Sequence, residues 1–106
     1  MIVSLVKITP APAKKREVLE LINYIVGPTR VNPECLDCSI YEGEADGSIL
    51  FIEKWQSRES LNIHIRSNSY MSILTAMELS TLPPVISVSE SMESDGMELI
   101  KKLRFG

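Results

Sequence analysis

Apolar residues recur along this chain at two spacings, and the switches between them divide it into elements. Ile2 to Ile8 is a short run rich in β-branched residues, with the length and composition of a strand. Thr9-Pro10-Ala11-Pro12 breaks the run, and Pro12 suits the first turn of a helix, where its missing N–H costs nothing. From Ala13 to Val26 the period lengthens. Val18, Leu21, Ile22 and Ile25 form one stripe, and Lys14, Lys15, Arg16, Glu17 and Glu20 lie mostly on the other face. Gly27-Pro28 is expected to end this helix. Leu36, Cys38 and Ile40 then alternate with Asp37, Ser39 and Tyr41, which reads as a strand. Ala45-Asp46-Gly47-Ser48 is a hairpin turn in which Asp-Gly supplies positive φ angles, and Ile49 to Trp55 is the return strand. Ser57 can cap a short helix that runs through about Ile65, with Glu59 well placed in its first turn. Ser67 or Asn68 can cap another, whose stripe is Tyr70, Ile73, Leu74 and Met77 and which Pro83-Pro84 stops. Val85 to Met92 reads as a last core strand.

The order β, α, β-hairpin, α, β is the split βαβ layout of a ferredoxin-like α+β domain. An antiparallel sheet with both helices on one face leaves its other face to water. Here that second face is apolar too. The first strand carries Val3 and Leu5 opposite Ile2, Val6 and Ile8; the third carries Leu50 and Ile52 opposite Ile49, Phe51 and Trp55. A second copy of the same sheet is the simplest cover, which predicts a homodimer. The expected domain is residues 1–92, with residues 93–106 as an extension that packs on the partner subunit. In that extension Met97, Leu99, Leu103 and Phe105 alternate like a strand, while Met97, Ile100 and Leu103 would equally line a short helix.

Composition removes several classes of function. A net charge of −3 with no basic stripe leaves nucleic-acid binding without an electrostatic basis. No apolar run is long enough to span a bilayer. Lys7 follows the first apolar run rather than preceding it, unlike a signal peptide, so a cytoplasmic protein is expected. Two cysteines are too few for a disulfide scaffold. Cys35 and Cys38 lead into a strand rather than a helix, and strict alternation would point their side chains to opposite faces. With no second Cys or His pair to close a zinc site, neither metal nor cofactor is expected. The chain has no phosphate-binding glycine loop.

Several segments, taken in order, resemble one family. These are Pro28-Thr29-Arg30, Pro33-Glu34-Cys35-Leu36, Phe51-Ile52-Glu53-Lys54-Trp55 and Leu61-Asn62-Ile63-His64. Together they are similar to the antibiotic biosynthesis monooxygenase family, which includes quinol monooxygenases and anthrone oxygenases. The resemblance covers roughly residues 1–92 and implies a dimeric α+β barrel in which two sheets face each other. It also implies a cofactor-independent monooxygenase acting with dioxygen on a quinol, anthrone or similar small aromatic polyphenol. The chain departs from the family pattern at Ser69, where many members carry a second histidine. Heme-degrading relatives use an asparagine in the first strand; here Ser4 and Lys7 are the candidates there, which disfavours heme cleavage.

His64 is the only histidine, and it is the expected catalytic residue. It can accept a phenolic proton near neutral pH, and the resulting anion can pass an electron to dioxygen. The bland alternative is a surface or capping histidine. Trp55 and Phe51 share a parity on the third strand and are expected either as walls of a substrate pocket or as plain core. Tyr70 is expected as a polar positioning group, or as the start of its helix stripe. Glu53 stands between the two aromatics on the same face and reads either as a functional acid or, as the preferred reading, as half of a structural pair. Arg30 is expected either to attract an anionic substrate or, as the preferred reading, to pair with Glu34. The alternative function, from a different class, is a non-catalytic dimeric binding or stress-response module.

Overall fold

The computed structural model describes residues 1–91 and 96–106. Its strands are β1 (Ile2–Ile8), β2 (Cys35–Glu42), β3 (Ile49–Trp55) and β4 (Val85–Glu90). The helices are α1 (Lys15–Arg30), α2 (Arg58–Arg66), α3 (Met71–Glu78) and α4 (Gly96–Phe105). One antiparallel sheet has the order β2-β3-β1-β4, so the ferredoxin-like α+β architecture is present. The core lies between the sheet and the helices. Val6, Ile8, Ile49, Phe51 and Cys38 meet Val18, Ile22 and Ile25 of α1 and Ile73 and Ala76 of α3. A smaller cluster of Ile2, Trp55 and Leu61 closes one end of the sheet and fastens α2 to it.

Four local expectations are corrected. First, α1 does not stop at Gly27-Pro28 but runs to Arg30. A residue before proline is normally pushed out of helical geometry by its own Cβ; Gly27 has none. Pro28 sits in the last turn, where the lost N–H interrupts little. Second, the extended α1 brings Arg30 beside β2, where its Nε donates to the Cys38 carbonyl at 2.9 Å. Among the described residues the expected Arg30–Glu34 ion pair does not form. Third, a bulge separates Cys35 from Asp37, with Leu36 as the extra residue. Cys35 therefore lies opposite Trp55 and Cys38 opposite Glu53, so both cysteines share the helix-covered face, and Leu36 is 45% exposed. Both thiols are free. Burial, with the Glu53 charge adding, pushes the Cys38 thiol up to about 12 and raises Cys35 as well, which is the opposite of a reactive cysteine.

The fourth correction concerns β4. It is an edge strand rather than a core strand, and every residue in it is exposed. Ile86 pairs with Val6 and shares its face, yet is 58% exposed, because the helices cover the sheet only as far as β1. On α3, Leu74 is likewise exposed, and Ala76 takes the inner position. The tail adopts the helical alternative. Met97, Leu99, Ile100, Leu103 and Phe105 of α4 are all exposed, and the helix buries no residue. The expected end of β4 at Met92 and the boundary at residues 92/93 lie outside the described residues.

The hairpin between β2 and β3 turns at the expected place, but only the glycine of the Asp-Gly pair takes a positive φ. Gly47 has φ 68°, and the Asp46 carboxylate accepts from the Ser48 N–H at 2.9 Å. Hydrogen bonds from Ser48, with the Lys7 ammonium 3.2 Å away, lower the Asp46 carboxyl to about 2. Among the described residues no helix is long and apolar enough to cross a membrane.

Candidate functional site

The site lies where β3 meets α2. Strand alternation sends Ile49, Phe51, Glu53 and Trp55 to the helix-covered face, so a carboxylate is carried inward among apolar side chains. Ser57 caps α2 reciprocally with Ser60, which fixes where the helix begins and hence which face points in. Leu61 and His64, one turn apart, are its buried residues. His64 consequently arrives over Glu53, with Nε2 2.6 Å from Oε2. Among the described residues neither atom has an aligned hydrogen bond, and Oε1 of Glu53 and Nε1 of Trp55 are also buried without one.

Aromatic rings hold the imidazole on two sides. Trp55 lies with its centroid 4.6 Å away at an interplanar angle of 36°, and Tyr70 meets it edge-on at 5.3 Å and 80°. Glu53 is 0% exposed and His64 8%. Taking a carboxylate wholly out of water is costly unless a partner compensates, and among the described residues His64 supplies its only close polar contact. The pair is therefore the feature of this fold that packing alone does not explain.

Burial, with the Glu53 charge adding, pushes the Tyr70 phenol up to about 12 from its ordinary value near 10. The neutral phenol is the form the fold favours. Its contribution to stability is full below pH 10 and is lost as pH rises through about 12. Absorbance at 295 nm during alkaline titration should show this phenolate forming together with loss of far-UV circular dichroism, and Tyr70→Phe should remove that component. A Tyr70 that ionised near 10 in an intact fold would contradict the placement.

His64 opens onto a cleft of about 180 Å³ lined by Pro28, Thr29, Asn32, Ile63, His64, Ser67 and Ser69. Two local features build it: α1 reaches far enough to place Pro28 and Thr29 there, and a 3₁₀ turn at Asn68–Tyr70 presents Ser69. A larger cleft of about 460 Å³ lies at the opposite end of the sheet, lined by Thr9, Pro10, Ala11, Pro12, Lys15, Asp46, Gly47 and Thr81. Its charges are already paired, Lys15 with Glu42 at 3.0 Å and Asp46 with Lys7 at 3.2 Å. It offers no unpaired chemistry. Among the described residues no three His, Cys, Asp or Glu side chains gather as a metal site would need.

Of the residues singled out from the sequence, the structure brings His64, Trp55 and Tyr70 together. Phe51, 1% exposed, lies in the main core cluster that Tyr70 also joins, and among the described residues it makes no ring contact with His64. Glu53 has the partner that its parity demanded, and the partner is His64. Asn32 carried no sequence signal of a role and Ser67 only that of a helix cap; they enter the site because a loop and the start of a 3₁₀ turn face each other across His64.

Comparison with known proteins agrees with this fold. Over 57 residues the chain is 39% identical to sll1783, an uncharacterised protein of Synechocystis sp.; the match covers 53% of this chain and 39% of that protein, so it spans well under half of that relative. Over 80 residues it is 28% identical to Rv0793 of Mycobacterium tuberculosis, covering 74% of this chain and 79% of that one. The solved structure of Rv0793 superposes with a TM-score of 0.80 at 23% identity, covering 89% and 97% of the two chains. A crystal structure described as an antibiotic biosynthesis monooxygenase superposes with a TM-score of 0.77 at 22% identity, covering 87% and 99%. Residues 1–74 match the profile of Antibiotic biosynthesis monooxygenase, and with most of its length so matched the chain belongs to that family.

Proposed function

We propose that this protein is a cofactor-independent monooxygenase in which His64 takes a proton from the hydroxyl of a small quinol or related phenol. The observation that carries the reading is the buried Glu53–His64 pair, clasped by Trp55 and Tyr70 and opening on a cleft. A carboxylate behind an imidazole stabilises the charge it acquires with the proton, and apolar surroundings strengthen that effect. Trp55 and Tyr70 hold the ring in place; Phe51 supports them from the core. The phenolate passes one electron to dioxygen, and the radical pair joins in a C–O bond. The carbon then loses its proton as the O–O bond breaks. One oxygen stays as a carbonyl and the other leaves as water, with every electron drawn from the substrate. The cleft is smaller than the roughly 300–1,000 Å³ of typical ligand pockets, which favours a one-ring quinol over a three-ring anthrone.

The protein would act in the cytoplasm as a homodimer. The apolar outer face of the sheet, with Val3, Leu5, Leu50 and Ile52, supports the dimer, and the exposed stripe of α4 gives each subunit an arm to lay on its partner. The small cleft also suits a second reading, a module that binds without turnover. Oxygen uptake with a panel of reduced one-ring quinones separates the two, with sedimentation in the same buffer reporting the mass. Uptake above the spontaneous rate, at twice the 11.9 kDa chain mass, is the expected result. Binding without uptake would overturn the oxygenase reading, and a monomer would overturn the dimer.

A further inference from the structure

We infer that the cleft beside His64 recognises a compact ligand bearing a hydroxyl next to a second oxygen, with Asn32 and Ser69 as its specificity-determining residues. The inference deepens the His64 reading and rests on it for the location of the site.

Its basis is the direction of the hydrogen bonds around the cleft. The Ser67 hydroxyl donates to the His64 carbonyl at 2.6 Å. A serine has one hydroxyl proton, so in the Ser67–Ser69 contact at 3.0 Å the donor must be Ser69. Ser69 therefore faces the cleft with lone pairs and no proton to offer. Asn32 is polarised the other way. Its Oδ1 accepts from the Glu34 N–H at 2.9 Å, which fixes the amide orientation and leaves the NH₂ group as the free end. In His64 the Nε2 atom is sealed against Glu53, so Nδ1 is the nitrogen a ligand can meet.

The cleft thus presents an amide donor from one wall and acceptors from Ser69 and Nδ1 of His64 on the other. A matching ligand gives an O–H to the acceptor side and an oxygen to Asn32. Within about 180 Å³ these two groups must sit close together on one small skeleton. A ligand with acceptor oxygens alone would satisfy Asn32 and set lone pair against lone pair at Ser69.

The test is a titration of ¹⁵N-labelled protein without oxygen, using catechol and 1,2-dimethoxybenzene as probes. Catechol should bind at least tenfold more tightly and shift the signals of Asn32, His64 and Ser69. Asn32→Asp keeps the oxygen that holds Glu34 but removes the amide donors, and Ser69→Ala removes the acceptor. Each should weaken catechol by about threefold to tenfold, the span of one hydrogen bond. Both positions are exposed, so the fold should persist and the remaining signals should stay in place. Equal binding of the two probes, catechol shifts elsewhere on the surface, or unchanged affinity in both variants would overturn the inference. Because binding is read without turnover, a protein that consumes no oxygen can still support it. A protein that oxidises other quinols but binds catechol no better than its dimethyl ether would refute it alone.

Discussion

Trp55→Ala is expected to lower folding stability by about 3–5 kcal/mol, a large part of the roughly 5–15 kcal/mol a domain of this kind possesses. Trp55 is fully buried at the end of β3, with Ile2 opposite it on β1 and Cys35 on β2. With Ile2 and Leu61 it forms a cluster separate from the main core, and Leu61 is how α2 joins that cluster. Removing the indole therefore opens a cavity and loosens the helix that carries His64. Urea unfolding followed by circular dichroism should show the loss, and amide exchange should be fastest in α2. Trp55→Phe is the control. Among the described residues the indole Nε1 has no hydrogen-bond partner, so phenylalanine forfeits no bond and should cost well under half as much. An alanine variant within about 1 kcal/mol of the parent would mean that α2 is held by something else.

The same residues show what a sequence can and cannot reveal about this fold. Strand parity put Glu53 beside Phe51 and Trp55, and the requirement that a buried charge be paired follows from physics alone. The identity of the partner did not follow, because it depends on where α2 begins. Ser57 settles that by capping, and a shift of one residue would turn His64 away by about 100°. The bulge at Leu36 was invisible for a related reason. Cys35-Leu36-Asp37-Cys38 reads as regular alternation until the register against β3 is known, and one extra residue then brings both cysteines to the same face. Pro28 is the converse case, a strong stop signal overridden by the glycine before it. The cleft depends on the first and last of these, the start of α2 and the run of α1 through Pro28. Its presence was therefore harder to read than the sheet, which rests on repeated apolar patterns that tolerate single exceptions.

His64→Gln is expected to leave the fold intact and to reduce oxygen uptake with one-ring quinols by about 10²–10⁴-fold, the usual contribution of a positioned general base. Glutamine keeps an N–H that can reach the Glu53 carboxylate and has no basic nitrogen to take a proton. The comparison with His64→Ala separates the two roles of this residue. Alanine leaves Glu53 buried with nothing beside it, and breaking a buried pair in that way costs about 3–5 kcal/mol. The alanine variant should therefore be both unstable and inactive, whereas the glutamine variant should melt close to the parent and be inactive only. Thermal unfolding and oxygen uptake measured on the same preparations decide between them. If the glutamine variant retained uptake, His64 would be a structural counterpart to Glu53 and the base would lie elsewhere. If it also lost stability as alanine does, Glu53 would require a positive charge opposite it rather than a hydrogen-bond donor. The resting pair would then be ionic, and its imidazole, already carrying a proton, would enter the reaction as an acid.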